Sequence, residues 1–193
     1  MNFLAHLYLS GDKTDIRIGG FIADFIKGNN FQEFSEEIKS GIILHRQIDT
    51  FTDNHKLVKK GKVRLQEKYR KYAGIVLDIF YDHFLAINWD LFSNQTLSVF
   101  TKDIYIMLVL NYYKLPAGAK KVLPFMIIGN WLESYKKIEM IEQVLIRMSL
   151  RTSLPNEAEF GIKILREHYQ SFNQEFKEFI IELEAFILSL KYL

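Results

Sequence analysis

Apolar residues recur along the chain mostly at steps of three and four, and strict alternation is absent over any useful length. That period puts them on one face of an α-helix and not on a strand. The pattern predicts helices over 2–9, 14–27, 35–52, 55–70, 73–91, 96–113, 118–133, 137–149 and 156–190, the last interrupted near Ser171. Punctuation is sparse, at 3 prolines and 10 glycines, which suits long helical runs. Gly28 stands where a helix should end after Lys27, and Ser35 before Glu36 and Glu37 reads as an N-cap with an acidic first turn. No internal repeat or low-complexity linker divides the sequence, so one all-α, compact helical domain over 1–193 is expected.

Composition narrows the class. With 193 residues, 49% of them apolar and 16 Phe and 10 Tyr among them, the chain can bury a sizeable core and is not a disordered tail. The absence of cysteine excludes disulfides and thiolate metal sites. The start has neither a charged leader nor a cleavable apolar run, and the most apolar window, GIVLDIFYDHFLAINW, is too short and too acidic to span a bilayer. A soluble, cytoplasmic protein is the expectation. Net charge is only +2 but unevenly spread: Lys56 to Lys71 holds eight basic residues against one acid, Glu67, whereas acids outnumber bases seven to three between Glu157 and Glu184.

Several polar residues sit where the pattern calls for apolar ones. In HRQIDTFTD, residues 45–53, His45, Asp49 and Asp53 stand four apart and share one side of a helix. A helical wheel starting at Ile42 places Ile43, Leu44, Ile48 and Phe51 on the buried face, His45 and Thr52 at its border, and Asp49 and Asp53 beyond it. That column is either a site wall or a hydrogen-bonded boundary histidine with two surface acids. In DIFYDHF, residues 78–84, the helix is apolar nearly all round, so Asp78, Asp82 and His83 are buried and need partners. A structural ion pair with an arginine or histidine suits Asp78, and a functional role suits Asp82 and His83. In IRIGGFIADFIKGN, Gly19 and Gly20 each cost a helix about 1 kcal/mol against alanine, which points to close packing or ligand approach. Asp24 in that segment wants a cation, with Arg17 or Arg46 as simple salt-bridge partners. His6 lies in the apolar opening NFLAHLYL, as a satisfied core residue or as part of a site.

Together these are histidines and carboxylates on four helices with no thiol to compete. Mixed imidazole and carboxylate donors suit Mn²⁺, Fe²⁺, Mg²⁺ or Zn²⁺, with the carboxylates favouring the harder ions. A metal-dependent phosphohydrolase fits such a set, and other hydrolases and oxidases use similar ligands.

The segments MNFLAHLYLS, GGFIADFIKGN, GIILHRQIDTFTDN and LDIFYDHFLAINW, in that order, resemble the acyl carrier protein phosphodiesterases, and NWLESYKKIEMIEQVLIRMSLR is similar to that family's C-terminal half. The resemblance implies a divergent HD-domain-like fold and a Mn²⁺-dependent hydrolysis of the phosphodiester between 4′-phosphopantetheine and a serine of holo-acyl carrier protein. The family's polar motif positions fall on Asp24, His45, Asp49, Asp53, Asp82 and His83. Because the doublet here is Asp82-His83 and not His-Asp, the general HD ligand scheme does not transfer directly.

On this basis Asp24, His45, Asp82 and His83 are the expected metal ligands. Asp49 or Asp53 would orient water, His6 would protonate the departing serine, and Arg46 would hold a phosphate oxygen or make a surface ion pair. The basic stretch, represented by Lys56, Lys59, Lys60, Lys62, Arg64 and Lys68, would dock an acidic holo-carrier. Its alternative is a solvated helix face, and neither nucleic acid nor membrane insertion is expected. Two competing readings are an HD-type nucleotide or cyclic-nucleotide phosphohydrolase and a non-catalytic helical module that binds an acidic protein.

Overall fold

Eleven α-helices make up residues 1–190, the part of the chain that this computed structural model describes: α1 (Phe3–Leu9), α2 (Thr14–Ile22), α3 (Glu36–Asn54), α4 (Lys56–Tyr69), α5 (Ala73–Ile87), α6 (Leu97–Leu110), α7 (Ala117–Ile128), α8 (Trp131–Ser134), α9 (Ile138–Arg151), α10 (Ala158–Glu167) and α11 (Tyr169–Ser189). There is no strand among the described residues. Buried side chains from Met1 to Ile187 join in one core, so the chain is a single all-α domain. Residues 191–193 of the expected 1–193 span lie outside the described residues. No described helix is long and apolar enough to cross a membrane.

The helix ends show where local chemistry overrides periodicity. Ser35 caps α3 as expected, its Oγ accepting from the Ile38 N–H at 3.4 Å. The helix expected to run to Lys27 stops at Ile22, and a 3₁₀ turn, Ala23–Phe25, takes over. Gly28 has the left-handed φ of +56°, but it follows extended Ile26 instead of a helix end. The run 118–133 divides at Gly129-Asn130, where Asn130 adopts φ +40°, a conformation asparagine tolerates better than most residues. The last helix breaks at His168, three residues before the expected Ser171.

At the centre lies α5. Its Phe80 and Tyr81 pack edge-on or tilted, and its Phe84 stacked, against Phe172, Phe176 and Phe179 of α11, each ring pair with centroids between 5.2 and 6.3 Å apart. Burying side chains of this size stabilises the fold by roughly 1.5–3 kcal/mol each, which makes α5 the scaffold against which the rest is set. Packing between α2 and α3 is closer still. A Cβ on Gly19 would overlap the carbonyl of Ile38, and one on Gly41 would overlap the carbonyl of Ile16, so the two backbones touch directly. That contact is what the helix gains for the propensity it gives up at Gly19.

Candidate metal centre

Close contact between α2 and α3 turns the buried side of α3. Its buried residues include Ile38, Gly41, Ile42, Leu44, His45, Ile48 and Thr52. The buried arc is therefore displaced from the one expected: His45 and Thr52 lie within it, whereas Ile43 and Phe51 are only partly covered. At this spacing the His45 Nδ1–H donates to the Gly20 carbonyl at 2.8 Å. The bond fixes the ring and leaves Nε2 facing Asp24 Oδ1 at 3.3 Å and Asp49 Oδ2 at 3.2 Å.

The opposite wall comes from α1. His6 stacks on His45, ring centroids 3.5 Å apart and planes within 9°. Its Nε2 is 3.1 Å from Asp49 Oδ1 but off the hydrogen-bond line, and neither nitrogen of this buried ring has a hydrogen bond. A buried imidazole with unpaired nitrogens is costly unless something absent satisfies it. One atom each from His6, His45 and Asp49 come within 4.8 Å of one another, close enough to hold a metal ion. The donor set fits a divalent ion: two nitrogens and a carboxylate, one histidine oriented by a backbone carbonyl and the other unsatisfied.

Electrostatics agree with that fit. Burial pulls His45 down, but the carboxylates of Asp24 and Asp49 outweigh it and raise its pKa to about 9. Burial, with the charge on His45 beside it, lowers His6 to about 4. The two stacked rings thus share a single positive charge. Partial burial pushes the Asp49 pKa up, yet the neighbouring His45 and His6 and the Met1 ammonium hold it well below the usual carboxylate range. Asp24 is likewise lowered, burial opposing and His45 prevailing. Carboxylates converging on one positive charge form the environment that a cation stabilises.

Of the other expected ligands, Asp82 and His83 stand outside this group. Asp82 is fully buried and accepts backbone N–H bonds from Asn2 (3.3 Å), Leu4 (2.8 Å) and Ala5 (3.3 Å). It therefore caps α1 from another helix and satisfies donors that every helix start leaves free. Burial raises its pKa to about 7, against the pull of those N–H groups. His83 donates from Nδ1 to the Tyr135 carbonyl at 2.7 Å, and its Nε2 accepts from the Tyr169 hydroxyl at 3.0 Å. Both residues have every polar side-chain atom engaged by protein.

The remaining expectations resolve individually. Asp24 pairs with His45, not with Arg17 or Arg46. Arg46 turns away from the cluster: it bonds the Gly28 carbonyl and Asn29 Oδ1 and stacks over Phe31 at 4.9 Å. Asp53 binds Lys62 Nζ at 2.6 Å at the mouth of the site. Asp78 has neither an arginine nor a histidine beside it; its partner is the Met1 ammonium at 3.2 Å, which also approaches Asp49 at 3.4 Å. In the basic stretch, Arg64 and Lys60 both bind Glu175, Lys62 binds Asp53 and Lys56 approaches Glu182. Lys59 and Lys68 make no ion pair among the described residues and are exposed.

Two cavities meet at Asp24, beside the cluster. A polar cleft of about 560 Å³ is lined by Asp49, Asp53, Lys62, Arg70, Lys71 and Asp78 among others. An apolar groove of about 340 Å³ runs from Phe3 and Phe25 past Trp131, Tyr135 and Val144. Asn2, Asp24 and Met148 line both. The groove went unnoticed in the sequence because its wall is assembled from α1, the 3₁₀ turn and α7–α9, which are far apart along the chain. Arg147 and Arg151, four apart on α9 and both in that wall, were the one local signal.

Residues 1–183 match the family model described as acyl carrier protein phosphodiesterase. The chain belongs to the acyl carrier protein phosphodiesterase family. It is 33% identical over 180 residues to the acyl carrier protein phosphodiesterase of Photorhabdus laumondii, covering 93% of this chain and 91% of that protein. The same-named proteins of Yersinia pestis and Yersinia enterocolitica are 33% and 34% identical, with 93% of each chain covered. No solved structure matches. The family match takes in α1 through most of α11, so the cluster, the cleft and the groove all lie within the family's extent.

Proposed function

We propose that this member of the acyl carrier protein phosphodiesterase family hydrolyses the phosphodiester between 4′-phosphopantetheine and a serine of holo-acyl carrier protein. The products are apo-carrier and free 4′-phosphopantetheine. The observation that carries this reading is the buried His6–His45–Asp49 group with its unsatisfied imidazole, in a chain of that family. We assign the divalent ion, Mn²⁺ by the family resemblance, to His6, His45 and Asp49, with Asp24 beside them. Bound there, such an ion would draw charge from a phosphoryl oxygen and lower the pKa of a water.

The chain's own residues have separate tasks. The Gly20 carbonyl keeps the His45 proton on Nδ1, so that Nε2 is the nitrogen offered to the site. His6 contributes a neutral nitrogen and serves as a ligand in this scheme, in place of the proton donor expected from the sequence. Asp49 offers an oxygen to each histidine, and Asp24 holds the second side of His45. In the reaction a water oxygen joins phosphorus, the bond from phosphorus to the serine oxygen breaks, and a proton passes to the serine oxygen. Lys62, held by Asp53, and Arg70 and Lys71 give the cleft a basic margin suited to an acidic carrier. Docking on the basic helix then rests on its unpaired members, Lys59 and Lys68.

The test is incubation with Mn²⁺ and holo-carrier, followed by intact-mass measurement. Loss of the phosphopantetheine mass, dependent on added metal, is the expected result. Hydrolysis of nucleotides with holo-carrier left intact would replace this reading with that of a nucleotide phosphohydrolase.

A further inference from the structure

Two cavities of opposite character share one catalytic floor, and the substrate has two unlike ends. We propose that the apolar groove between α1 and α7–α9 receives the pantetheine arm of the leaving phosphomonoester, while the polar cleft faces the carrier. This inference rests on the reading that holo-carrier is the substrate, and it fixes the direction in which the diester lies across the site.

The groove opens at the cluster, since Asp24, 3.3 Å from His45 Nε2, and Asn2 line both it and the cleft. A phosphoryl group at His6, His45 and Asp49 therefore has one exit over Phe3, Phe25 and Trp131 and another over Asp53, Lys62 and Arg70. The first exit is nearly all carbon, from aromatic rings and the side chains of Val122, Val144 and Met148. Its volume, about 340 Å³, is that of a site for a small molecule and cannot admit a folded protein segment. Pantetheine matches its size and lack of charge: its gem-dimethyl and methylene groups suit the apolar lining, and its amides and hydroxyls have Asn2, Thr152 and the solvent at the groove's open side as partners. Arg147 and Arg151 lie in the same wall and give it the positive charge that an anionic phosphomonoester favours. The second exit carries charge of both signs, the character of a surface that meets another protein's rim.

His83 gains a place in this scheme. By holding the Tyr135 carbonyl at 2.7 Å it anchors the segment that carries Tyr135 in the groove wall.

Filling the groove tests the proposal. Val144→Trp and, independently, Val122→Trp should each cut kcat/KM for holo-carrier at least ~10-fold more than kcat/KM for bis(4-nitrophenyl) phosphate, in line with the discrimination small changes in an apolar pocket give. Free pantetheine should inhibit the wild-type protein competitively against holo-carrier and lose that inhibition in both variants. Melting temperatures identify a variant that fails to fold, in which case the other decides. Parallel losses on both substrates, or pantetheine inhibition that survives groove filling, would overturn the assignment of the arm. A wild-type protein that cleaves bis(4-nitrophenyl) phosphate but never holo-carrier would instead overturn the reading on which the assignment rests.

Discussion

The His45 column on α3 and the Asp82-His83 pair on α5 are alike in sequence, each setting imidazole and carboxylate among apolar residues, and in both the histidine is buried. Their surroundings differ in one respect. Around Asp82 and His83 each polar atom finds a protein partner, three backbone N–H groups for the carboxylate and a carbonyl and a hydroxyl for the ring. Around His6 the partners run short: both of its nitrogens are unpaired, whereas the stacked His45 has the Gly20 carbonyl at Nδ1 and two carboxylates at Nε2. Saturation, more than residue type, distinguishes the Asp82-His83 pair from His6. A polar residue whose atoms are all bonded has less to offer a ligand.

Breaking the unsaturated region should have the largest effect on activity. Asp49→Ala or His45→Ala should reduce turnover of holo-carrier by more than ~100-fold, the upper range for loss of a residue that only supports a ligand. Metal analysis of the purified variants should show no stoichiometric ion. Full activity in Asp49→Ala would dismantle the proposed centre.

The saturated region should answer with stability instead. Asp82→Ala strips α1 of three accepted N–H bonds in a buried setting and should cost about 3 kcal/mol, read as a lower denaturation midpoint. Metal should still bind below the melting temperature, because His6, His45 and Asp49 remain. An unchanged midpoint with lost metal would make Asp82 a ligand after all and erase the contrast between the regions.

Third in size is Arg64→Ala, which takes the two short bonds, 2.6 and 2.7 Å, from nearly buried Glu175 and leaves only Lys60. A loss of about 2 kcal/mol is expected, less than for a wholly unpaired buried charge. Burial pushes Glu175 up, but Arg64 and Lys60 outweigh it and hold it below its ordinary pKa of 4.5. Its contribution is then complete above that value and fades as pH falls through the lower folded-state pKa. Urea midpoints should show wild type and Arg64→Ala farthest apart near neutrality and converging in acid. A gap that widens in acid would contradict the ion pair.

The smallest effect concerns the cleft rim. Arg70 holds a left-handed φ of +49°, which glycine adopts more easily. Arg70→Gly should raise stability by up to about 1 kcal/mol while raising KM for holo-carrier, with bis(4-nitrophenyl) phosphate as the reference substrate. Equal KM values for holo-carrier in variant and wild type would exclude Arg70 from docking.

Much of this architecture was legible in the chain. Helical periodicity gave the all-α class and most boundaries, and it failed where a single backbone conformation intervened, as at Asn130 and His168. The apolar surround of Asp82 correctly announced a buried acid. What no local pattern could say is that its partners are the N–H groups of residues 77 to 80 positions away. Nor does sequence adjacency give direction: Arg46 follows His45, which belongs to the cluster, while its long side chain reaches back to Gly28 and Asn29. His6 was noticed, yet its role turned on stacking against a residue 39 positions later, which only the fold brings about.

The direct backbone contact at Gly19 and Gly41 has a consequence for how this protein tolerates change. The carbonyl that aims His45 belongs to Gly20, and no substitution at position 20 can delete a main-chain oxygen. Its placement is instead hostage to the neighbours that bring α2 against α3. In a saturation scan scored by catalysis, positions 19 and 41 should look as intolerant as the ligands themselves, although neither has a functional group to lose. A methyl group added there would be read out as a misdirected imidazole.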